Sequence, residues 1–560
     1  MPLPDYFSFE ITTVDETDLV LVSLHDSRTN FTVRTALPNS GKQTASIMAF
    51  AGARYSRASI SAVELFKEIK AAKKDANSRL STIFKAYGHA SVADMANMFC
   101  YIENVPDIYS PMFYGESSVG AGQGRSTRYQ DFSSSTPTDL QDYFSDDEVK
   151  KLVSHSPDEM NQINTSFQHL QNELLEKYRK WVSILTEKYT KIYEIDTQNK
   201  QQMGALAARV FDTARYFLPA GTALKTSFAY LTSAREWARL ISFLTARDDR
   251  DLRYLGSQLE FLFAPDPDVA ESVGYTPEAP DLIRYTSADE TSNNNLQSLK
   301  EYLVQTGFDS LEKPSTQFGF KPLSIELYAV DLSAGEKILA QNILQLYPTI
   351  NTKWLAQYVR DISVQDKLEI SEILFSDHTH HNQTGNAFRV NTHSFVLTCS
   401  ISETRDLIRH RAWGRFVPMM ACEQNYRDII NEGYTLPLYL TNNSHLSAER
   451  EQFEQDILEY YNHLKQFADS VKSLDWFPQH LLIQLLPFCH VMKLWFHGSP
   501  KEMSYLTNLR VRPGGHINYR YLAYQMAKLA SQSDPLLSSL DLGELKEPDA
   551  CSRGEFVDRS

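Results

Sequence analysis

Apolar and polar positions along this chain fall into two long helical stripes, several short alternating runs and two soft stretches. Ile163, Phe167, Leu170, Leu174, Tyr178, Trp181, Leu185, Tyr189 and Ile192 recur every three or four positions. Phe453, Ile457, Tyr460, Leu464, Phe467, Val471 and Leu474 repeat the pattern later. One apolar face per helix is the mark of an element laid against a core, so both stripes predict core packing. Residues 7–15, 18–24, 324–331 and 395–401 are short runs rich in β-branched and aromatic residues and predict strands. Strands mixed with long helices predict an α+β fold with mixed or antiparallel sheets.

Residues 265–295 hold four prolines, many acids and one base, Arg284, and end in three asparagines. Such a stretch offers little to bury and reads as a connector. The expected organisation is therefore a first domain over 1–264, a connecting segment over 265–322 and a second domain over 323–560. A Ser-, Thr- and Asp-rich insertion at about 131–158 interrupts the first. The halves look like distant copies. After each long helix comes a Leu-Pro pair, Leu218-Pro219 and Leu486-Pro487, then an aromatic-rich helix running to an arginine, Arg247 and Arg510. The order of parts repeats while the spacing does not, which is a diverged tandem duplication and not a solenoid.

Composition narrows the function. The chain has 560 residues, 42% of them hydrophobic and 22% charged, enough for more than one folded domain. With 55 basic against 70 acidic residues the net charge is −15, which argues against a general nucleic-acid binder while leaving room for a local basic pocket. No apolar run is long enough for a membrane span, and the N-terminus has no secretory pattern. Cys100, Cys399, Cys422, Cys489 and Cys551 are scattered and form no C-x-x-C pair, which argues against a disulfide framework and fits a cytoplasmic protein.

The sharpest chemical cluster is Arg409-His410-Arg411, directly after an apolar stretch. Guanidinium groups grip phosphates bidentately, so the cluster suits an anion site; a structural ion-pair network is the other reading. Glu423, Asn425 and Arg427 alternate and share one face of an extended segment, suiting a polar ligand or a surface ladder. In the first half Gly88-His89-Ala90-Ser91 opens a helix-like turn. Residues 115–124 hold four glycines, followed by Arg125, Ser126 and Arg128, a loop able to cradle a phosphate though not a P-loop. His378, His380 and His381 lack a completing carboxylate or thiol, so no metal site is expected.

These pieces, in this order, resemble the flavin-dependent thymidylate synthases (ThyX). The second half offers LIRHR (407–411), E-x-N-x-R (423–427), a Leu-Pro pair and SPKEMSYLTNLR (499–510). The first offers AGARYSR (51–57), GHASVADMANMFCYIENV (88–105), STRY (126–129), ARYFLP (214–219) and SAREWARLISFLTAR (233–247). The resemblance implies FAD as cofactor, with NADPH and methylenetetrahydrofolate as co-substrates, and methylation of dUMP to dTMP. It implies catalytic roles for Arg409 and Arg411. It implies FAD contacts from His89, Ser91, Arg409, His410, Arg411 and Glu423, and nucleotide contacts from Ser126, Arg128, Asn425, Arg427 and Arg510. It also implies that two fused chains pair as a homodimer mimicking a tetramer.

The departures are specific. The first half has no RHR, and Glu116, Ser117 and Ser118 fall about there; Asp94 replaces the family's Glu and Asn104 its Gly. In the second half the interval from RHR to Glu423 is longer, and Gly414 and Asn425 replace the motif's serines. Two alternatives therefore stand beside thymidylate synthesis: flavin-dependent modification of another pyrimidine nucleotide, and a non-catalytic nucleotide-binding or scaffold protein.

Overall fold

The computed structural model describes residues 3–548 apart from 16, 39–42, 56–58, 72–89, 108, 110–112, 114–118, 126–129, 140–156, 220–224, 248, 315–331, 380–381, 383–384, 386, 408–409, 411, 417–428, 437, 442–446, 473–481, 483–484, 488, 513–516 and 544–545. The chain divides into two units, Met1–Asp289 and Glu290–Ser560. The architecture is α+β in each, with antiparallel strands and flanking helices.

In the first unit, strands β1 (Phe7–Val14), β2 (Leu19–Asp26), β3 (Phe31–Pro38), β4 (Asn97–Pro106), β5 (Ala121–Gly124) and β6 (Lys225–Ser233) form one sheet in the order β1-β2-β3-β4-β6-β5. The first two strands match the expected runs to within two residues. β1 pairs with β2 from Phe7↔Asp26 to Val14↔Leu19. Helix α1 (Thr44–Tyr55) and, after β6, helices α3 (Ala234–Thr245) and α4 (Arg250–Phe263) belong to this unit; between them runs α2 (Pro157–Ile192). Trp237 of α3 is fully buried and donates its indole N–H to Met98 O at 3.1 Å. The Gln258 amide of α4 donates to both Leu24 O and Phe31 O, at 2.8 and 3.0 Å, pinning the β2–β3 hairpin.

The segment read as a connector is packed. Tyr275, Ala279, Leu282 and Ile283 lie in the first unit's core, and Ala45 N and Ser46 Oγ both bond Glu278, at 2.6 and 2.7 Å. From Thr291 the chain already forms helix α5 (Thr291–Gln305), whose Leu299 and Leu303 sit in the second core. The described part of this segment, residues 265–314, thus packs into the two units, with the division at Asp289/Glu290. Two of the four prolines sit at helix starts, where a missing N–H costs nothing: Pro267 and Pro280 each open a short helix. The strand expected at 324–331 lies outside the described residues.

Both stripes are on helices, α2 and α8 (Ser447–Ser470), but core packing covers only part of each. On α2 the Tyr178 position is buried while Ile163, Leu170 and Ile192 are 50%, 62% and 64% exposed. On α8, Tyr461 and Leu464 are buried whereas Phe453, Tyr460 and Phe467 are exposed. Periodicity locates an apolar face without saying what lies against it. The opening of the insertion does lie against α2. Arg179 donates to Ser133 O and Ser135 O at 2.8 and 2.7 Å, and Thr138 and Gln171 exchange hydrogen bonds.

In the second unit β7 (His393–Ser400), β8 (Gly414–Phe416) and β9 (Val491–Gly498) form a sheet in the order β7-β9-β8. Helices α6 (Ala334–Leu346), α7 (Ile401–Leu407), α9 (Pro500–Arg510) and α10 (Ile517–Ser533) share its core or its edges.

The register shows the duplication. β4, β6 and β5 pair as β7, β9 and β8 do: Thr232 faces Met98 as Gly498 faces His393, and Leu231 faces Ala121 as His497 faces Gly414. Each middle strand then runs directly into a helix capped by serine, with Ser233 Oγ accepting from Glu236 N and Ser499 Oγ from Glu502 N.

Candidate active site

Aligning Ser233 with Ser499 places Leu244 at the register of Arg510. Leu244 is fully buried. Arg247 is therefore not the counterpart of Arg510; it lies beyond the end of α3, with its guanidinium 4.0 Å from the Phe243 ring centroid. Only the second unit keeps an arginine at that position.

The chain builds the approach to Arg510 from local rules. Ser499 caps α9 with a reciprocal Ser499–Glu502 pair and Pro500 in the first turn, which fixes where the helix begins. Arg510 then falls in its last turn, where the helix dipole favours a cation. On the opposing side β7 ends at Ser400, whose N–H donates to Glu403 Oε2 at 2.8 Å and starts α7. After α7 the chain turns sharply: His410 N bonds Leu407 O at 3.0 Å and Trp413 N bonds His410 O at 3.2 Å. Trp413 is buried and stacks on Phe496 of β9, centroids 4.3 Å apart and planes 8° apart. A side chain on Gly498 would meet that indole at 2.4 Å, so glycine is needed there.

This turn delivers His410 to Arg510. Arg510 Nε donates to His410 Nε2 at 2.8 Å. An arginine N–H has no acceptor capacity, so the imidazole accepts at Nε2 and, when neutral, carries its proton on Nδ1. His410 is 8% exposed, with Tyr505 edge-on at 6.3 Å, and the Arg510 guanidinium lies 5.2 Å from the Tyr519 ring centroid. The pair presents nitrogen donors in an aromatic frame, a donor set that fits the carbonyl, ring-nitrogen and phosphate acceptors of a flavin nucleotide.

Of the expected site residues, His410 and Arg510 are brought together. Ser91 lies in the 3-10 turn Ala90–Met95 that precedes β4. His89, Ser126, Arg128, Arg409, Arg411, Glu423, Asn425 and Arg427 lie outside the described residues, as do His380 and His381.

No motif or periodicity singled out Tyr505, Tyr519 or His490. His490 is fully buried, and its Nδ1 lies 2.7 Å from the Tyr461 hydroxyl. Burial pushes its pKa below the ordinary histidine value. Around it Ile401 N bonds His490 O, Thr435 N bonds Cys489 O and Val491 N bonds Gly433 O. The first bond ties the start of α7, and the other two tie Gly433 and Thr435, to the start of β9.

Residues 37–258 and 331–536 each match the family described as thymidylate synthase complementing protein. The chain belongs to this family. It matches it twice, in tandem, as the paired registers require. The resemblance drawn from the motifs is borne out at this level. Strands β1 and β2 precede the first matched region. The chain is also similar to UPF0159 proteins of Chlamydia pneumoniae (21% identical over 355 residues) and Chlamydia muridarum strain MoPn / Nigg (22% over 362 residues). Each match covers 61% of this chain and 60% of the relative, so the chain spans under two thirds of the length of the curated relatives it matches. The Helicobacter pylori thymidylate synthase X solved with FAD and dUMP is similar over 43% of this chain and 94% of its own, at 11% identity and a TM-score of 0.24. Among the described residues no helix is long and apolar enough to cross a membrane.

Proposed function

We propose that this protein is a flavin-dependent thymidylate synthase-like enzyme that methylates dUMP, with FAD as cofactor and NADPH and methylenetetrahydrofolate as co-substrates. Family membership over both halves supports the class. The observation that carries the reading is the hydrogen bond between Arg510 and His410, which joins the RHR cluster to the end of the downstream helix across 100 residues. When bound, FAD supplies the redox chemistry. The chain's own residues supply position and charge. Arg510 orients the His410 ring, which offers its Nδ1–H to an acceptor. Arg409 and Arg411 flank it as anion-binding groups and take the catalytic roles. Glu423, Asn425 and Arg427 follow as polar contacts, and His89, Ser91, Ser126 and Arg128 are the first half's contribution.

Two chains paired as a homodimer reproduce four family domains, with one competent half per chain. The exposed apolar stripe of α2 supports a surface covered by a partner. Cytoplasmic residence fits the scattered cysteines. The test is turnover: wild type converts dUMP to dTMP with all three partners present, and Arg409→Ala does not. A second reading, a nucleotide-binding protein without turnover, is favoured by Leu244, which leaves the first unit without the Arg510 equivalent.

A further inference from the structure

One edge of the first unit's sheet is β5, four residues long with two glycines; the other is β1, eight residues in unbroken register with β2. Proteins blunt a long edge with lysine, proline or a bulge. β1 reads FSFEITTV and has none of these; its one charge is Glu10. Both β1 and β2 precede the first region matched to the family.

The backbone of β1 turns half of its groups outward. Tyr6 O accepts from Ser27 N at 3.0 Å, one step before the Phe7↔Asp26 pair. Facing residues of an antiparallel ladder alternate between bonded and non-bonded pairs. Ser8, Glu10, Thr12 and Val14 therefore turn their N–H and C=O to β2, and Phe9, Ile11 and Thr13 turn theirs away from it. The Phe7 N–H obeys the same rule, bonding Pro4 O at 2.9 Å outside the ladder. Among the described residues nothing bonds the outward groups of Phe9, Ile11 and Thr13. Side chains here are open too: Ile11, Val14 and its partner Leu19 are 42%, 37% and 40% exposed. Phe9, on the same face as Ile11, still reaches the core beside Tyr275, with ring centroids 5.3 Å apart. Ile11 lies beyond that cover.

A second copy extends this sheet across a two-fold axis perpendicular to it, which pairs β1 antiparallel with itself and keeps like faces together. Three registers then compete. Centring on Glu10 sets two carboxylates directly opposite, which is unfavourable. Centring on Thr12 pairs no more of the strand than Glu10–Val14. Centring on Ile11 pairs Ser8–Val14: Ser8 faces Val14, Phe9 faces Thr13, Glu10 faces the Thr12 hydroxyl, and Ile11 faces its own copy. That register bonds the outward groups of Phe9, Ile11 and Thr13 and covers the exposed Ile11 side chain with another. The strand is thus its own complement in backbone, charge and apolar surface.

We propose that β1 is a self-association edge, pairing antiparallel with β1 of a second copy about Ile11. It stands independently of the flavin reading and of the α2 seam. Seven paired residues make a small contact of the weak, concentration-dependent class, which joins the dilute-solution species without replacing it. The test uses the full chain. A disulfide needs Cα atoms about 4.4–6.8 Å apart, and a bonded antiparallel pair holds them about 5.5 Å apart. Under mild oxidation Ile11→Cys is expected to form linked chain pairs at least tenfold faster than wild type. Thr13→Cys, as open to solvent but about 14 Å from its own copy in this register, stays at the wild-type level. In sedimentation at rising concentration the wild type gains mass. Ile11→Pro, which removes an N–H that β2 does not use, weakens that association at least tenfold with an unchanged melting temperature. Should Ile11→Pro fail to fold, Ile11→Lys, which sets two ammonium groups side by side, decides in its place. A wild type whose mass does not rise, Ile11→Cys linked no faster than wild type, Thr13→Cys linked as fast as Ile11→Cys, or a folded edge variant that associates like wild type overturns the proposal.

Discussion

Arg510 donates from Nε to Nε2 of His410, and the ring it holds lies at the heart of the RHR cluster. A hydrogen bond that involves a charged donor contributes about 1.5–3 kcal/mol, and here it fixes Nε2 as the accepting imidazole nitrogen. The two residues should therefore act as a unit. In a double-mutant cycle on FAD affinity, His410→Ala and Arg510→Ala are expected to be non-additive by about 1–2 kcal/mol, roughly a tenfold discrepancy. Additive losses would show that the pair is not a functional element.

The equivalence of Leu244 and Arg510 predicts opposite mutational behaviour at one structural register. Leu244 is fully buried, so Leu244→Ala should cost about 2–4 kcal/mol of stability in denaturant unfolding. Arg510→Ala should cost about 1.5–3 kcal/mol, the contribution of its bond to His410, and should also abolish ligand binding by the folded protein, which Leu244→Ala should spare. Equal losses of ligand binding by the two folded variants would undo the assignment of the site to the second unit.

Gly498 is where the stacked Trp413 leaves no room for a side chain. Gly498→Ala should destabilise by about 1–3 kcal/mol through displacement of the indole, and should weaken flavin binding by moving His410 three residues before it. Intrinsic tryptophan fluorescence together with urea unfolding checks both parts.

Buried His490 gives a pH dependence of definite sign. Its folded pKa lies below the unfolded value of about 6.5, so the unfolded chain binds the extra proton first. The stabilising contribution is complete above pH ~6.5 and is lost as the pH falls from there through the folded pKa. His490→Asn keeps an acceptor near the Tyr461 hydroxyl and removes the titration. The melting temperature of the wild type should fall more steeply than that of His490→Asn between about pH 7 and 5.5. Parallel curves would contradict the account.

Leu170 is 62% exposed on α2. Leu170→Lys should leave thermal unfolding of the isolated chain within about 0.5 kcal/mol. In light scattering the wild type should measure as a dimer and the variant as a monomer, because a lysine in a buried apolar seam is costly. A wild-type monomer would remove the dimer from the proposal.

Much of this was legible in the sequence because it rests on local rules. The Ser-Pro-Lys-Glu start of α9 and its arginine end are short-range signals, and Arg510 does fall in the last turn of that helix. The RHR cluster was legible as charge after an apolar run. What the sequence hid is tertiary. Residues 265–289 look poor in apolar surface, yet Tyr275, Leu282 and Ile283 reach the first core. The α2 stripe looks like core, yet its periodicity carries no information on its cover. Arg247 and Arg510 each follow an aromatic-rich helical stretch, a coarse guide to register. The capping serines, whose positions are fixed by hydrogen bonds, give the true register.

The most direct test of the central claim is the visible absorption spectrum of purified protein incubated with FAD and desalted, beside Arg409→Ala and Arg510→Met. The account predicts a retained flavin spectrum of about one FAD per chain in the wild type, one competent half in each tandem copy, and its loss in both variants. A folded, colourless wild type, or full flavin retention by Arg409→Ala and Arg510→Met, would contradict it.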